Sequence, residues 1–408
     1  MDKGRLRDLL RRRRARAGRW SIDAGLTPRL SLAQIARYFF RLGALGFGGP
    51  IALAGYMQRD LVERRRWFTQ EEYLQGLAVS QTLPGPLAAQ LAMWLGYVRR
   101  GFWGAVAAAL PFILPPFVIV SVVAALYVEF RGTTVIQALF YGIGPAVIAL
   151  ILRGAWKLLR VSIKEDRRLW AIFGVVAVVT FLVRSEVAIL FLVAGLVGVV
   201  LFAPGWLLRR VPTAPALVPV WLGSLLSAAP TSDPNLLLQL GIFFFKAGAF
   251  TFGSGLAIVP FLQQGVVRDF GWLSEREFLD AVAMGMITPG PVVITAVFVG
   301  YLVAGLAGAT VAGVGVFLPP FLMVVLFAPW IIRFRKHPAV VGFTRGATAA
   351  AAGAIVGAAA VIATQVLVDI PTLAIFLVAL AAVWSAKVPE PLLVSVAGIV
   401  GFAAFALR

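Results

Sequence analysis

Phe40-Arg-Leu-Gly-Ala-Leu-Gly-Phe-Gly-Gly-Pro50 recurs 205 positions later as Phe245-Lys-Ala-Gly-Ala-Phe-Thr-Phe-Gly-Ser-Gly255, without a gap. At the same offset Trp67-Phe-Thr-Gln-Glu-Glu-Tyr-Leu74 meets Trp272-Leu-Ser-Glu-Arg-Glu-Phe-Leu279, and Pro84-Gly-Pro86 meets Pro289-Gly-Pro291. After a one-residue deletion, Gly96-Tyr97 meets Gly300-Tyr301 and Pro115-Pro-Phe117 meets Pro319-Pro-Phe321. Unrelated apolar helices match in Leu, Val and Ala; a match in Gly, Pro and Trp at fixed spacing marks a duplication.

The residues between these motifs are apolar: 60% of the 408 residues are hydrophobic and 13% charged, with a mean hydropathy of +0.91. Apolar runs recur from Leu32 to Leu407, several long enough to cross a hydrocarbon core of about 30 Å. In that medium every backbone polar group needs an internal partner, so the runs are helices or a closed barrel. Their length and lack of strict alternation exclude the barrel. The expected fold is all-α, a polytopic integral membrane protein of two homologous halves. First-half segments are expected near 32–57, 71–98, 102–129, 133–152, 168–183 and 186–203. Second-half segments are expected near 235–262, 275–299, 302–332, 339–366, 370–385 and 389–407.

The charge of +19 is distributed as for a membrane protein, and nucleic acid is rejected as a partner. Much of it lies in residues 1–30, a basic arm containing Arg11-Arg12-Arg13-Arg14 but no apolar run followed by a cleavage site; a retained cytoplasmic arm is expected, able to meet anionic headgroups of the lipid bilayer. Of 37 Lys and Arg, 28 precede or include Arg210 and 9 follow it. The first-half loop bearing Arg153, Lys157, Arg160, Lys164, Arg167 and Arg168 has a counterpart near Gln365–Pro371 with no cation, whereas the loop at Arg131 has a more basic counterpart at Arg333–Lys336. The bias changes sides, as inverted-topology repeats require. The expected organisation is an arm at 1–30, a repeat at 31–210, a linker at 211–232 that could add a crossing or form a loop, and an inverted repeat at 233–408. The N-terminus is expected in the cytoplasm and the protein in the inner (plasma) membrane. Because Arg59, Arg64, Arg65 and Arg66 resemble a cytoplasmic loop as much as the arm does, segment one, and by extension segment two, reads as a broken or re-entrant hairpin.

The breaks carry the chemistry. Proline removes a donor and is favoured at the start of a helix, and glycine permits the dihedrals of a restart. Half-helices are therefore expected at Ile51 and Leu87, with equivalents at Leu256 and Val292. Their N–H groups would face the membrane interior, where a helix start binds oxyanions; the alternative is a set of packing kinks. Arg41 and Lys246 occupy equivalent positions inside apolar runs. They suit a dianion, unless both snorkel to the interface. Gln90 and Ser254 lie beside the breaks as further donors, although hydroxyls also bond back to helix carbonyls. Glu72 and Glu277 follow Thr69 and Ser274 by three residues, the spacing of a capping box, and capping is preferred to proton transfer. No carboxylate stands out in mid-membrane. There is no cysteine, and the single His337, in a basic loop, lacks the company a metal site needs. No metal, no cofactor and no catalytic residue is expected.

Phe47-Gly-Gly-Pro50, Trp67 through Tyr73, Pro84-Gly-Pro86 and Pro115-Pro116, each with its second-half copy, resemble the bidomain (long-chain) chromate transporter family over about residues 35–408. The resemblance implies a bacterial or archaeal inner-membrane carrier that exports chromate and confers resistance, with sulfate linked to some members. It maps Gly48, Gly49, Pro50, Pro84, Gly85, Pro86 and Gln90, with Gly253, Pro289, Gly290 and Pro291, onto family motif positions. Gly49-Pro50 becomes Ser254-Gly255 in the second half, so the half-sites differ. The rivals are a transporter of sulfate or another oxyanion, a membrane-embedded enzyme, for which no nucleophile–base pair is found, and a scaffold. The oligomeric state, a homodimer included, is left open.

Overall fold

The structure, a computed structural model, describes residues 30–47, 49–162, 166–183, 188–203, 236–251, 255–327, 334, 337–385 and 388–407. The N-terminal arm, the linker at 211–232, Gly48, Gly253 and Ser254 lie outside the described residues. Within them all regular structure is helical.

Helix α1 (Leu32–Leu45) opens on a capping box in which Ser31 and Gln34 satisfy each other's backbone N–H groups. It ends at Gly46. The chain then restarts as α2 (Gly49–Met57) and continues in π-helical turns over Gln58–Arg64. Trp67 lies edge-on to Tyr38 of α1, with ring centroids 5.9 Å apart, and the Arg65 guanidinium sits 5.5 Å from the Tyr38 ring centre. The chain has therefore come back to the side it left, and segment one is a re-entrant hairpin.

A second hairpin follows. Helix α3 (Gln70–Thr82) starts on the Thr69–Glu72 capping box, as the sequence led us to expect. Helix α4 (Leu87–Phe130) is two arms joined at Arg100 and Gly101, where Gly101 has φ 58°. Its first arm, 87–99, runs back along α3. Arg99 reaches Glu72 at 2.6 and 2.7 Å and the Trp67 carbonyl at 2.7 Å, and Arg100 donates to the Leu30 carbonyl at 2.7 Å. Both hairpins thus open on one face, the Leu30 face, with the second tip at Pro84-Gly85-Pro86. The second arm of α4, 102–130, rises about 1.5 Å per residue, or about 43 Å, enough to reach the opposite face.

The second half repeats this plan. Helix α8 (Leu236–Phe250) is followed by a 3-10 turn (Gly255–Ala257), α9 (Ile258–Leu262) and π-helical turns over Gln263–Asp269. Phe243 stacks on Phe261 at 5.3 Å and meets Trp272 edge-on at 5.7 Å, the counterpart of Tyr38 against Trp67. Helix α10 (Glu275–Ile287) starts on the Ser274–Glu277 capping box. A 3-10 turn (Val292–Ile294) leads into α11 (Thr295–Leu322), bent at Ala304 and Gly305, where φ is 57°. The outer end of α10 lies against the far end of α4, where Arg131 pairs with Glu277. The second half therefore opens on the Arg131 face. The long arms run antiparallel, with Phe102 of α4 5.8 Å from Phe321 at the end of α11. The repeats are inverted.

Helices α5 (Thr134–Ser162) and α12 (Pro338–Val366) pack on one another at the centre. The pair α6 (Arg167–Val183) and α7 (Ala188–Phe202) packs on α12, while α13 (Ile370–Ser385) and α14 (Glu390–Ala406) pack on α5. Each half lays its last hairpin on the other's long helix. Four described helices are long and apolar enough to cross a membrane. Leu110, Leu114, Val118, Val122 and Leu126 form an outward stripe along α4, a surface that suits hydrocarbon and would be a liability in water.

Candidate functional site

The four helix breaks meet. The Gly85 N–H donates to the Thr251 carbonyl, and the Gly290 N–H donates to the Gly46 carbonyl at 2.9 Å. These are equivalent bonds, since 290 − 85 and 251 − 46 are both 205. Each joins a Pro-Gly-Pro tip of one half to the end of the first helix of the other. Only glycine fits these tips: φ is 139° at Gly85 and 99° at Gly290. A Cβ on Gly85 would lie 2.6 Å from Pro320 Cβ, and one on Gly290 would lie 2.9 Å from Pro116 Cγ. The Pro-Pro motif of each half thus backs the tip of the other. Gly255 closes the ring, packing on Val292 and Val293.

Gly85, Pro86, Gln90, Pro289, Gly290 and Pro291 are buried in this knot; Pro84 is half-buried, as are Gly49 and Pro50 at the start of α2. Gln90 is fully buried, donates through Nε2 to the Pro84 carbonyl at 2.7 Å, and leaves Oε1 without a partner. Its equivalent, Thr295, donates to the Val292 carbonyl at 2.9 Å. Both side chains clamp their own hairpin behind the tip.

Every hairpin brings one helix C-terminus and one N-terminus to the knot, so the dipoles of a pair oppose one another. The hydrogen bonds break that balance, because the carbonyls of Gly46, Thr251 and Pro84 already accept donors. The first N–H groups of α4 and of the turn at Val292 have no acceptor within their helices. The sequence supplies no Asp or Glu at 46–57, 83–91, 251–262 or 288–296. The knot is short of negative charge and rich in donors.

Arg41 and Lys246 lie five residues before Gly46 and Thr251. Arg41 leaves α1 on the face opposite Ile35, Phe39 and Gly43 and is exposed; Lys246 is half-buried on the flank of α8. The two helices pack on different arms, α1 on α4 and α8 on α11. No hydrogen bond or ion pair joins either cation to another described residue.

Sequence reasoning missed three contacts. Asp280 on α10 is 5% exposed and accepts a 2.5 Å hydrogen bond from the Tyr127 hydroxyl of α4. Its signal was an acid within the apolar run 275–299 at the position where the first half has Gln75. Burial of that acid depends on α4 crossing to the other half, which spacing along the chain does not reveal. Glu72 and Glu277 cap helices as expected, but each also holds an arginine, Arg99 within its own hairpin and Arg131 across the halves.

The family model described as Chromate transporter matches the chain twice, at residues 33–199 and 238–402. The chain is similar to the "Chromate transport protein" of Cupriavidus metallidurans, 50% identical over 93% of this chain and 95% of that one. It is similar to the "Probable chromate transport protein" of Synechococcus elongatus, at 49% over 92% and 96%. The "Chromate transport protein" of Pseudomonas aeruginosa is 32% identical over 93% and 94%. No solved structure matches the chain. With two inverted repeats that match one family model in turn, and full-length relatives at this identity, the chain belongs to the chromate transporter family.

Proposed function

We propose that the protein carries chromate out of the cytoplasm across the inner membrane, with the N-terminus cytoplasmic, by rocking one inverted repeat against the other. The supporting observation is the knot itself: helix starts from both halves, joined by equivalent hydrogen bonds, bring backbone donors into a buried region without carboxylates. An oxyanion is the matching ligand. The substrate reading also draws on the names of the full-length relatives, which are chromate transport proteins. In this reading Gly49, Pro50, Pro84, Gly85, Pro86, Pro289, Gly290 and Pro291 shape the anion site, with Gly48, Gly253 and Ser254 at the same breaks. Gln90 holds its tip in register, and Arg41 and Lys246 draw a dianion toward the knot. A negative interior assists export by about 2.3 kcal/mol per charge per 100 mV, so a dianion gains about twice that.

The test is flux in proteoliposomes at an imposed potential, with chromate and sulfate in separate arms. Arg41→Ala and Lys246→Ala are each expected to lower chromate flux by at least about tenfold, equivalent to about 1.4 kcal/mol, with membrane insertion intact. Normal flux in both variants would remove them from the site. Sulfate moving while chromate does not would change the substrate and keep the fold-based mechanism.

A further inference from the structure

The Tyr127–Asp280 contact is outside the anion knot and has no counterpart in the other half. Asp280 lies one turn deeper on α10 than Glu277, as Tyr127 lies one turn deeper on α4 than Arg131. The two pairs form adjacent rungs between the halves: an ion pair at the surface and, beneath it, a carboxyl bonded to a phenol. The equivalent of Asp280 is Gln75, which bonds to Glu71 on its own helix at 3.1 Å, and the equivalent of Tyr127 in the sequence is Ile331.

The surroundings of Asp280 are apolar or already engaged. The Tyr127 ring packs edge-on against Phe140 of α5 at 5.8 Å and Phe298 of α11 at 5.3 Å. On α10, Glu277 is held by Arg131, and Arg276 reaches the Gln137 carbonyl at 3.4 Å. From α5, which packs on α10, Tyr141 donates to Asp369 at 2.7 Å. From α14, which also packs on α10, the sole acid is Glu390 at its first position, beside Lys157 and Arg153 of α5. No cation makes an ion pair with Asp280 among the described residues. A carboxylate withdrawn from water, with a phenol as its hydrogen-bond partner and the charge of Arg276 nearby but not paired with it, is costly, and binding a proton lowers that cost.

We propose that Asp280 is a proton-binding site through which the pH on the Arg131 side controls the opening of that face during oxyanion transport, with Tyr127 as its positioning donor; this rests on the transport reading above. With the Arg131 face closed, α10 lies against α4 and the acid holds its proton. When the halves part at that face, the Arg131–Glu277 pair opens first and water reaches Asp280. The carboxyl O–H bond then breaks, the proton passes to that water, and the carboxylate remains hydrated until the halves close again. The proton is released to and taken up again from the Arg131 side, so no proton crosses the membrane, and the single-sided placement of the acid makes opening of that face alone sensitive to pH.

The experiment uses the full chain in proteoliposomes. For the wild type, the rate of chromate flux is expected to vary with the pH on the Arg131 side and not with that on the Leu30 side, while the steady-state distribution follows the potential alone. Asp280→Asn is expected to lose that response, and Tyr127→Phe to keep it with its pH midpoint displaced. In parallel, infrared spectra of the purified protein near neutral pH should contain a protonated-carboxyl stretch that Asp280→Asn lacks and that moves to the glutamic acid frequency in Asp280→Glu. The Glu variant, which keeps the acid, serves where the Asn variant fails to insert. A wild type whose flux is indifferent to the pH on the Arg131 side, or an Asp280→Asn that responds to it as the wild type does, overturns the proposal. A wild type that moves no chromate rejects the transport reading instead, and the infrared band still decides whether Asp280 binds the proton: its absence overturns the site.

Discussion

At the scale of single residues, the tips separate glycines that are needed for different reasons. Gly85 combines φ 139° with a Cβ position 2.5 Å from Gln90 Nε2 and 2.6 Å from Pro320 Cβ. Gly49 also has a positive φ, 72°, but nothing lies within 4 Å of its Cβ position. Gly85→Ala therefore carries both backbone strain and overpacking, about 2–4 kcal/mol together, whereas Gly49→Ala carries the strain alone, about 1 kcal/mol. Thermal unfolding in detergent should show the larger fall for Gly85→Ala, with loss of chromate flux. Equal falls would mean that the Pro320 contact gives way. The need for glycine at position 85 was legible from Pro84-Gly-Pro86. The neighbour that forbids a larger side chain was not, because Pro320 belongs to the other half.

At the scale of elements, two arginine–glutamate pairs of unequal strength tie the helices together, one within a hairpin and one between the halves. Arg99 is 12% exposed and Glu72 20%. The guanidinium contacts both carboxylate oxygens and the Trp67 carbonyl. Removing it leaves a partly buried carboxylate and a carbonyl without their donors, which costs about 2–3 kcal/mol. Arg131, 47% exposed against Glu277 at 24%, is screened by water, and its removal costs at most about 1 kcal/mol. Denaturation of Arg99→Ala and Arg131→Ala should rank them in that order, and Arg99→Ala should also speed proteolysis of the loop at 65–69. The capping boxes at Thr69 and Ser274 were readable because a cap is local, with partners three residues apart. Arg99 lies 27 positions from Glu72, and only the fold of α4 back along α3 joins them.

At the scale of the whole molecule, inversion and exchange make labelling predictions. The chain has no cysteine, so single cysteines report without background. Cysteines replacing Arg66 and Gly271, equivalent loop positions, should react with a membrane-impermeant thiol reagent from opposite sides. Reaction from the same side would refute the inversion. Because α6 and α7 cover α12 while α13 and α14 cover α5, neither half alone buries its long helix. Residues 1–210 and 211–408 expressed separately should be unstable in the membrane, and together should co-purify and regain flux.

By itself, the sequence determined the duplication, the all-α membrane class, the helix segments and the positions of the breaks, since hydrophobic run length, proline and glycine act on a chain locally. The swap of basic loops between copies gave the inversion as well, because charge placement records which side of a membrane a loop faces. Tertiary structure decided that the breaks are tips of re-entrant hairpins, that each tip is held by the opposite half, and that Asp280 is buried against Tyr127. Those outcomes depend on contacts between segments 27 to 244 positions apart, as for Glu72 with Arg99, Gly46 with Gly290, and Tyr127 with Asp280. Hydrophobic pattern says that a face is buried but not against what, so the identity of each partner had to come from packing.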